Sequence, residues 1–230
     1  MALQPSEQER NGEIPVRDAA TVILVRDPDA NPAVLVGQRG KSAAFMPEKY
    51  VFPGGAVDAA DAEVELPWGI GDPCHSRLRV RNTGAPPEAL ATAAIRELWE
   101  ETGLRLGRDA SWRAPEGWKH FAGMGVAPDA SALRFFFRAV TPPGRPRRFD
   151  ARFFIADAGA LSGDPDDFSL AEDELSHLHW VPLADVRRLD LPFITQVVLG
   201  ELTAYLPATG APKGVPFVTN DQIDSTVVWL

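Results

Sequence analysis

The residues best suited to chemistry lie in Ala94-Ile95-Arg96-Glu97-Leu98-Trp99-Glu100-Glu101-Thr102-Gly103-Leu104, which sets three glutamates within five positions. On a helix Glu97 and Glu100 are i and i+3, and Glu97 and Glu101 are i and i+4, so all three share one face. Like charges at those spacings destabilise a helix by about 0.2–0.5 kcal/mol per pair. A hard divalent cation such as Mg²⁺, held through oxygen, supplies the missing attraction. A solvated acidic face is the ordinary alternative. Two further groups stand out. Ser169-Leu170-Ala171-Glu172-Asp173-Glu174-Leu175 offers carboxylates able to take a proton from water. Arg138, Arg145, Arg147, Arg148 and Arg152 fall close together in an otherwise acidic chain, and arginine is a good bidentate phosphate partner. Cys74 and His75 are adjacent, but two soft ligands do not make a zinc site.

These groups need elements to hold them. Ala19 to Val25 is a continuous apolar, β-branched run, the mark of a buried strand. The turn Asp27 to Pro32 leads into a second strand over Ala33 to Arg39, so a hairpin is expected, and Tyr50-Val51-Phe52 is a short strand running into Pro53-Gly54-Gly55. Residues 56–84 have no clear period. Pro86 and Pro87 open a helix near Glu88 that runs to about Thr102, with Gly103 as its stop. Strands are expected over 132–140 and 149–156, around a turn rich in Pro and Arg, and over 178–181. The segments 183–189 and 193–206 read as helical. Strands and helices in this mixed order predict an α/β, α+β layered domain.

The bulk composition bounds the rest. At 230 residues the chain is long enough for a substantial core. We expect a leader at 1–17 and a single domain over 18–230, with residues 56–84 as an elaboration. A net charge of −9 argues against wholesale wrapping of nucleic acid. The single cysteine rules out an internal disulfide framework. No stretch approaches the roughly 20 apolar residues that a membrane span needs, and no signal-peptide pattern opens the chain. A soluble, cytoplasmic protein is expected.

The stretch Glu88, seven residues, then Arg96-Glu97-Leu98-Trp99-Glu100-Glu101-Thr102-Gly103-Leu104, with Phe52-Pro53-Gly54-Gly55 ahead of it, resembles the Nudix box. That box reads G-x5-E-x7-R-E-U-x-E-E-x-G-U, where U is aliphatic. The second half matches at every fixed position. In the first half Gly55 precedes Glu88 by 33 positions instead of six, so 27 residues are inserted within the motif. Asp61 sits six after Gly55 and offers a rival alignment. Glu88 is preferred because its spacing to Arg96 is intact. The interrupted box looks like that of the coenzyme A diphosphatase-like branch of the family. So do Val36-Gly37-Gln38-Arg39, Phe45-Met46-Pro47, Val51 to Asp58 and Pro146 to Phe154. The likeness runs from about Val16 to Leu206.

The resemblance implies a mixed β-sheet sandwiched between α-helices. It implies an enzyme, a diphosphatase that uses Mg²⁺ or Mn²⁺ to hydrolyse a nucleoside diphosphate linked to another moiety. Coenzyme A or an acyl-coenzyme A is the first substrate class. ADP-ribose, NADH and nucleotide sugars are the alternative, and a catalytically silent ligand sensor is a reading from another class. By the match Glu97, Glu100 and Glu101 hold metal, Arg96 orients a glutamate, Gly55 is an outer ligand or motif position, and Glu88 is the partner of Arg96 or an outer ligand. The base lies in a later loop in this family, which points to Glu174 or Glu172. Arg39 and Arg152 are the expected substrate-binding residues. The partner is then a small molecule, neither nucleic acid nor membrane, and a homodimer is a common state for such domains. The insertion is expected to wall the substrate pocket.

Overall fold

The computed structural model describes residues 14–43, 45–206, 214–220 and 225–230. Its organising element is strand β1 (Val16–Arg26). Successive strand side chains point to opposite faces, so Val22 and Leu24 enter one apolar cluster while Ile23 and Val25 enter another. A strand buried on both faces must be central. One edge of β1 pairs with β2 (Ala33–Arg39) at Val25↔Val34 and Arg26↔Ala33, the expected hairpin. Further along the same edge β1 changes partner. Ala19, Ala20 and Thr21 pair with β4 (Gly54–Ala56), while β2 turns to β3 (Tyr50–Val51) and β10 (Leu175–Pro182). The other edge of β1 runs parallel with β8 (Arg148–Asp157) from Val16 to Val25.

Strand β7 (Arg134–Val140) pairs antiparallel with β8, as the hairpin expected around the Pro- and Arg-rich turn. Beyond it lie β11 (Pro216–Thr219) and β12 (Thr226–Trp229), giving the order β10-β2-β1-β8-β7-β11-β12. Strands β5 (Arg105–Asp109), β6 (Val126–Pro128) and β9 (Leu161–Ser162) form a small second sheet. The helices are α1 (Cys74–Arg79), α2 (Pro87–Thr102), α3 (Lys119–Gly123) and α4 (Phe193–Tyr205). Helix α2 packs Leu90, Ile95 and Leu98 into one face of the main sheet, and α4 packs Val198, Leu199 and Leu202 into the other. The molecule is therefore the expected mixed sheet between helices.

Helix α2 is the carboxylate helix. Pro87 occupies its first turn, where a missing N–H is tolerated. Leu98, between the glutamates, is fully buried. Burying one such side chain is worth roughly 1.5–3 kcal/mol, several times the like-charge penalty, so packing on one face lets the other crowd its carboxylates. Gly103 ends the helix at φ 74°, its amide donating to the Trp99 carbonyl at 2.8 Å.

Residues 56–84 are not a bare loop. They carry a 3₁₀ turn at Ala59–Glu63 and then α1, and Val64, Ile70, Cys74 and Leu78 are built into the core beside α2. The helix expected over 183–189 is only a 3₁₀ turn, Val186–Arg188. The Leu183 amide is drawn instead to the Pro32 carbonyl at 2.8 Å, prolonging the strand contact. The first described strand starts at Val16, inside the stretch expected as a leader, of which residues 1–13 lie outside the described residues.

A Cβ at residue 103 would demand left-handed backbone and would sit 3.0 Å from the Ala171 amide nitrogen. Gly103→Ala is expected to cost about 1–2 kcal/mol, read as a lower urea midpoint at unchanged slope. An unaltered midpoint would show that the turn is free to relax.

Candidate active site

The site is assembled where the partner change along β1 brings β4 against α2. Glycine is required at this approach. A Cβ on Gly55 would lie 2.5 Å from the carboxyl atoms of Glu97, and the Gly54 amide donates to Glu101 Oε2 at 2.8 Å. The hub is Arg96. Its Nε and Nη2 grip Asp61 at 2.8 and 3.0 Å, its Nη1 donates to Glu97 Oε1 and Glu100 Oε2 at 2.8 Å each, and its Nη2 also donates to the Ala56 carbonyl at 3.0 Å. Asp61 is 1% exposed.

Burial alone would lower the Arg96 pKa, but the Asp61 hydrogen bonds and the surrounding carboxylates outweigh it and raise the value. The glutamates move the other way. Burial pushes the Glu97 carboxyl up to about 7, with Arg96 opposing and Glu100 and Glu174 adding to the rise. Burial also raises Glu100, again against Arg96. Glu101 is raised well above its ordinary value by burial and by Glu97 and Glu174, against the Gly54 amide and Arg39. One guanidinium does not balance this cluster.

The loop expected to carry the base reaches the same place. The Glu172 amide donates to the Glu100 carbonyl at 2.8 Å, which docks the loop on the end of α2. Glu174 Oε1 accepts from Arg39 Nη2 at 3.0 Å, and both residues act electrostatically on Glu101. Arg39 stands at the end of β2, paired with Leu175 of β10.

Two expectations are corrected. Glu88 does not partner Arg96. It is 58% exposed and pairs with His75 at 2.9 Å, while Asp61 holds Arg96 with both oxygens. Arg96 lies 35 positions beyond Asp61, against eight in an uninterrupted box. The 27 extra residues therefore come after Asp61, and the spacing of six from Gly55 is the signal that locates it. Arg152, expected to meet substrate, is 1% exposed. Its Nη1 and Nη2 are taken by Asp18, by the Asp150 carbonyl at 2.7 Å and by Asn82 at 2.7 Å. The role of the Gly54 amide has no side chain to announce it.

The donor set suits a hard divalent cation. Glu101 Oε1 is buried with no hydrogen-bond partner among the described residues, and an orphaned buried acceptor costs about 1–3 kcal/mol. Carboxylate oxygens in a site short of positive charge are the chemistry that Mg²⁺ or Mn²⁺ selects. Among the described residues no three acidic, His or Cys side chains already close around one point. Arg96 holds an oxygen of Glu97 and one of Glu100, which leaves the second oxygen of each as the available donor.

A model of the NUDIX domain matches residues 83–199, just over half of the chain. The acyl-coenzyme A diphosphatase NUDT19 of Homo sapiens is 30% identical over 175 residues, covering 53% of this chain and 47% of that protein. The Gallus gallus protein of the same name is 28% identical over 230 residues, covering 71% and 60%. The chain thus spans about half the length of the curated relatives it matches. A crystal structure of a NUDIX hydrolase from Alicyclobacillus acidocaldarius superposes with a TM-score of 0.63 at 28% identity, covering 84% of this chain and 93% of that one.

Asp61→Ala leaves the half-buried Arg96 short of its bidentate partner and is expected to cost roughly 3 kcal/mol. Glu88→Gln, at the surface, should stay within about 0.5 kcal/mol. Urea denaturation of both variants decides between them, and a larger loss at Glu88 would return the motif's first acid to that position. The raised glutamates also set a pH dependence. Folded Glu97 binds its proton more tightly than the unfolded chain, so its contribution is full below about 4.5 and is lost as pH rises through about 7. In chelator the melting temperature should therefore fall between those values, and Mg²⁺ should reverse the fall near neutrality. A melting temperature that climbs across this window in chelator would contradict the burial of these carboxyls.

Proposed function

Since the chain belongs to the Nudix family, we propose that it is a metal-dependent diphosphatase acting on a nucleoside diphosphate derivative, with coenzyme A or an acyl-coenzyme A as the substrate class. The observation that carries the reading is the carboxylate cluster of α2, bound to a single guanidinium and retaining the unpartnered Glu101 Oε1. Glu97, Glu100 and Glu101 would hold Mg²⁺ or Mn²⁺. Such an ion, when bound, offsets the charge of the diphosphate and acidifies water.

The chain's own residues account for the rest. Arg96 fixes the rotamers of Glu97 and Glu100 through charge-assisted bonds. Gly54 and Gly55 let the strand close on the carboxylates without a Cβ in the way. Glu174 takes the proton from the attacking water. It is favoured over Glu172 because it acts on both Glu97 and Glu101, whereas Glu172 acts on Glu100. Arg39 holds Glu174 and has a buried Nε without a partner among the described residues, a donor suited to a phosphate oxygen. Attack on one phosphorus breaks the P–O–P bridge and yields two phosphate esters. For coenzyme A these are 4′-phosphopantetheine and adenosine 3′,5′-bisphosphate. The substrate assignment is supported by the interrupted box and by the likeness to proteins named acyl-coenzyme A diphosphatase. We treat residues 18–230 as one catalytic unit. No described helix is long and apolar enough to cross a membrane. A reducing compartment such as the cytoplasm suits the free, buried Cys74.

The test is hydrolysis of coenzyme A, acetyl-coenzyme A, ADP-ribose, NADH and a nucleotide sugar with Mg²⁺ or Mn²⁺, products resolved by mass. Glu97→Gln and Glu101→Gln should each lower kcat by at least about 10²-fold while stability holds or rises, because like-charge repulsion is relieved. Turnover of ADP-ribose alone would keep the metal helix and discard the coenzyme A assignment. No turnover of any diphosphate would remove the reading.

A further inference from the structure

Across β1 from β4, on the β8 edge, a cavity of about 840 Å³ opens at the start of both strands. Arg81, Arg138, Arg145 and Arg148 line it together with Asp150 and Phe217. Arg138 is already neutralised. It grips Asp150 through Nε and Nη2 at 2.8 and 2.6 Å, and its plane lies 4.2 Å from the Phe217 ring centre. Its Nη1 donates to the carbonyls of Val80 and Arg81 at 3.3 and 3.1 Å. The other three arginines differ. Among the described residues none of Arg81, Arg145 and Arg148 has a carboxylate partner, and Arg148 donates only to the Thr141 carbonyl at 3.1 Å. In a chain with 32 acidic and 23 basic residues, three guanidinium groups without a carboxylate partner among the described residues gather positive charge around one concavity.

Arg81 also has φ 53°, a left-handed conformation uncommon for a residue with a side chain. The Arg138 bonds to its carbonyl and to that of Val80 hold this backbone in place. The guanidinium fork matches phosphate oxygens in pairs. We propose that this cavity is a second binding site, one that takes the phosphate group of a small molecule.

The site is distinct from the carboxylate centre. From Val16, which lines the cavity, to Ala20, which pairs with Gly55, is four residues of strand, about 13 Å. Between them Arg152, Asp18 and Asn82 are locked together, and the Ala85 amide closes on Asp18 Oδ2 at 2.7 Å. The two places also have opposite demands. An anion approaching Glu97, Glu100 and Glu101 needs a cation between, and at the arginines it needs none.

That difference gives the test. Inorganic pyrophosphate is titrated calorimetrically into the full chain in low-salt buffer with EDTA, where the carboxylate centre repels it. One equivalent should bind, more weakly as salt rises. The variant Arg81→Gln/Arg145→Gln should lose at least about tenfold in affinity, the scale of one charge-assisted bond, at an unchanged melting temperature. Arg145→Gln alone, at the exposed hairpin tip, should still weaken binding and serves if the pair fails to fold. Glu101→Gln should leave it unaltered. No binding in EDTA, equal binding by the arginine variants, or loss in Glu101→Gln would each overturn the proposal, whether or not the enzyme hydrolyses any diphosphate. Kinetics then names the source of the phosphate. A raised KM at constant kcat in the arginine variant assigns it to a remote end of the substrate, and an unchanged KM assigns it to a separate ligand.

Discussion

The carboxylate cluster of α2 is organised by one guanidinium. Arg96 takes both oxygens of Asp61, one oxygen each of Glu97 and Glu100, and the Ala56 carbonyl. Those partners come from the 3₁₀ turn after β4, from β4 itself and from α2, so a single side chain ties strand to helix. Lysine would not replace it, since a point charge on a flexible stem lacks the planar fork that meets four partners at once. The same arrangement is short of positive charge. Arg96, with Arg39 acting on Glu101, faces four carboxylates, Asp61, Glu97, Glu100 and Glu101, and burial leaves the glutamates with raised pKa values. Such a centre is stable in two ways only: with carboxyls protonated, or with further positive charge supplied.

The partner change along β1 makes room for this centre. Were β2 to stay beside β1 from Val25 down to Ala19, the edge where Gly54 and Gly55 meet the glutamates would be filled by another strand. Instead β4 takes that edge with two residues that lack a Cβ, and the helix approaches to hydrogen-bond distance of the Gly54 amide. On the opposite edge β8 runs parallel to β1 along nearly its full length, which gives the rigid side of the frame. The helix carboxylates are thus held by packed elements, and only Glu172 and Glu174 ride on a loop.

Much of this is legible in the residues because it is local. The hairpin of β1 and β2, the start of α2 at the proline pair, its stop at Gly103 and the glutamate face are all encoded in runs of a few residues. The sheet around them is not legible. The β1–β8 pairing joins Val16 to Arg148 across more than half the chain, and nothing in either segment names the other. The apolar, β-branched strands that it brings together read as buried without saying where. Arg152 misleads for a related reason. An arginine between apolar neighbours on a strand looks like a ligand-facing residue until Asp18, 134 positions away, is seen to occupy it. Glu88 misleads because its spacing to Arg96 and the spacing from Gly55 disagree whenever residues are inserted, and only the second survives here.

How a motif survives 27 extra residues in its middle is answered by where the insertion is pinned. Before it, the turn closes on itself: the Asp58 amide donates to Asp61 Oδ2 at 2.8 Å and the Asp61 amide to the Asp58 carbonyl at 3.0 Å. Asp61 is therefore positioned by its own turn, independently of the residues inserted after it. Asp18 of β1 then brackets the excursion. Its carbonyl accepts from the Val57 amide at 2.9 Å on the way out, and its carboxylate accepts from the Ala85 amide at 2.7 Å on the way back. Both ends of the excursion meet one residue, so its length adds little beyond a loop-closure entropy that grows only logarithmically. Burial of Val64, Ile70, Cys74 and Leu78 offsets that entropy. The contact the motif needs, Asp61 to Arg96, is spatial, and a chain that returns to Asp18 restores it whatever lies between.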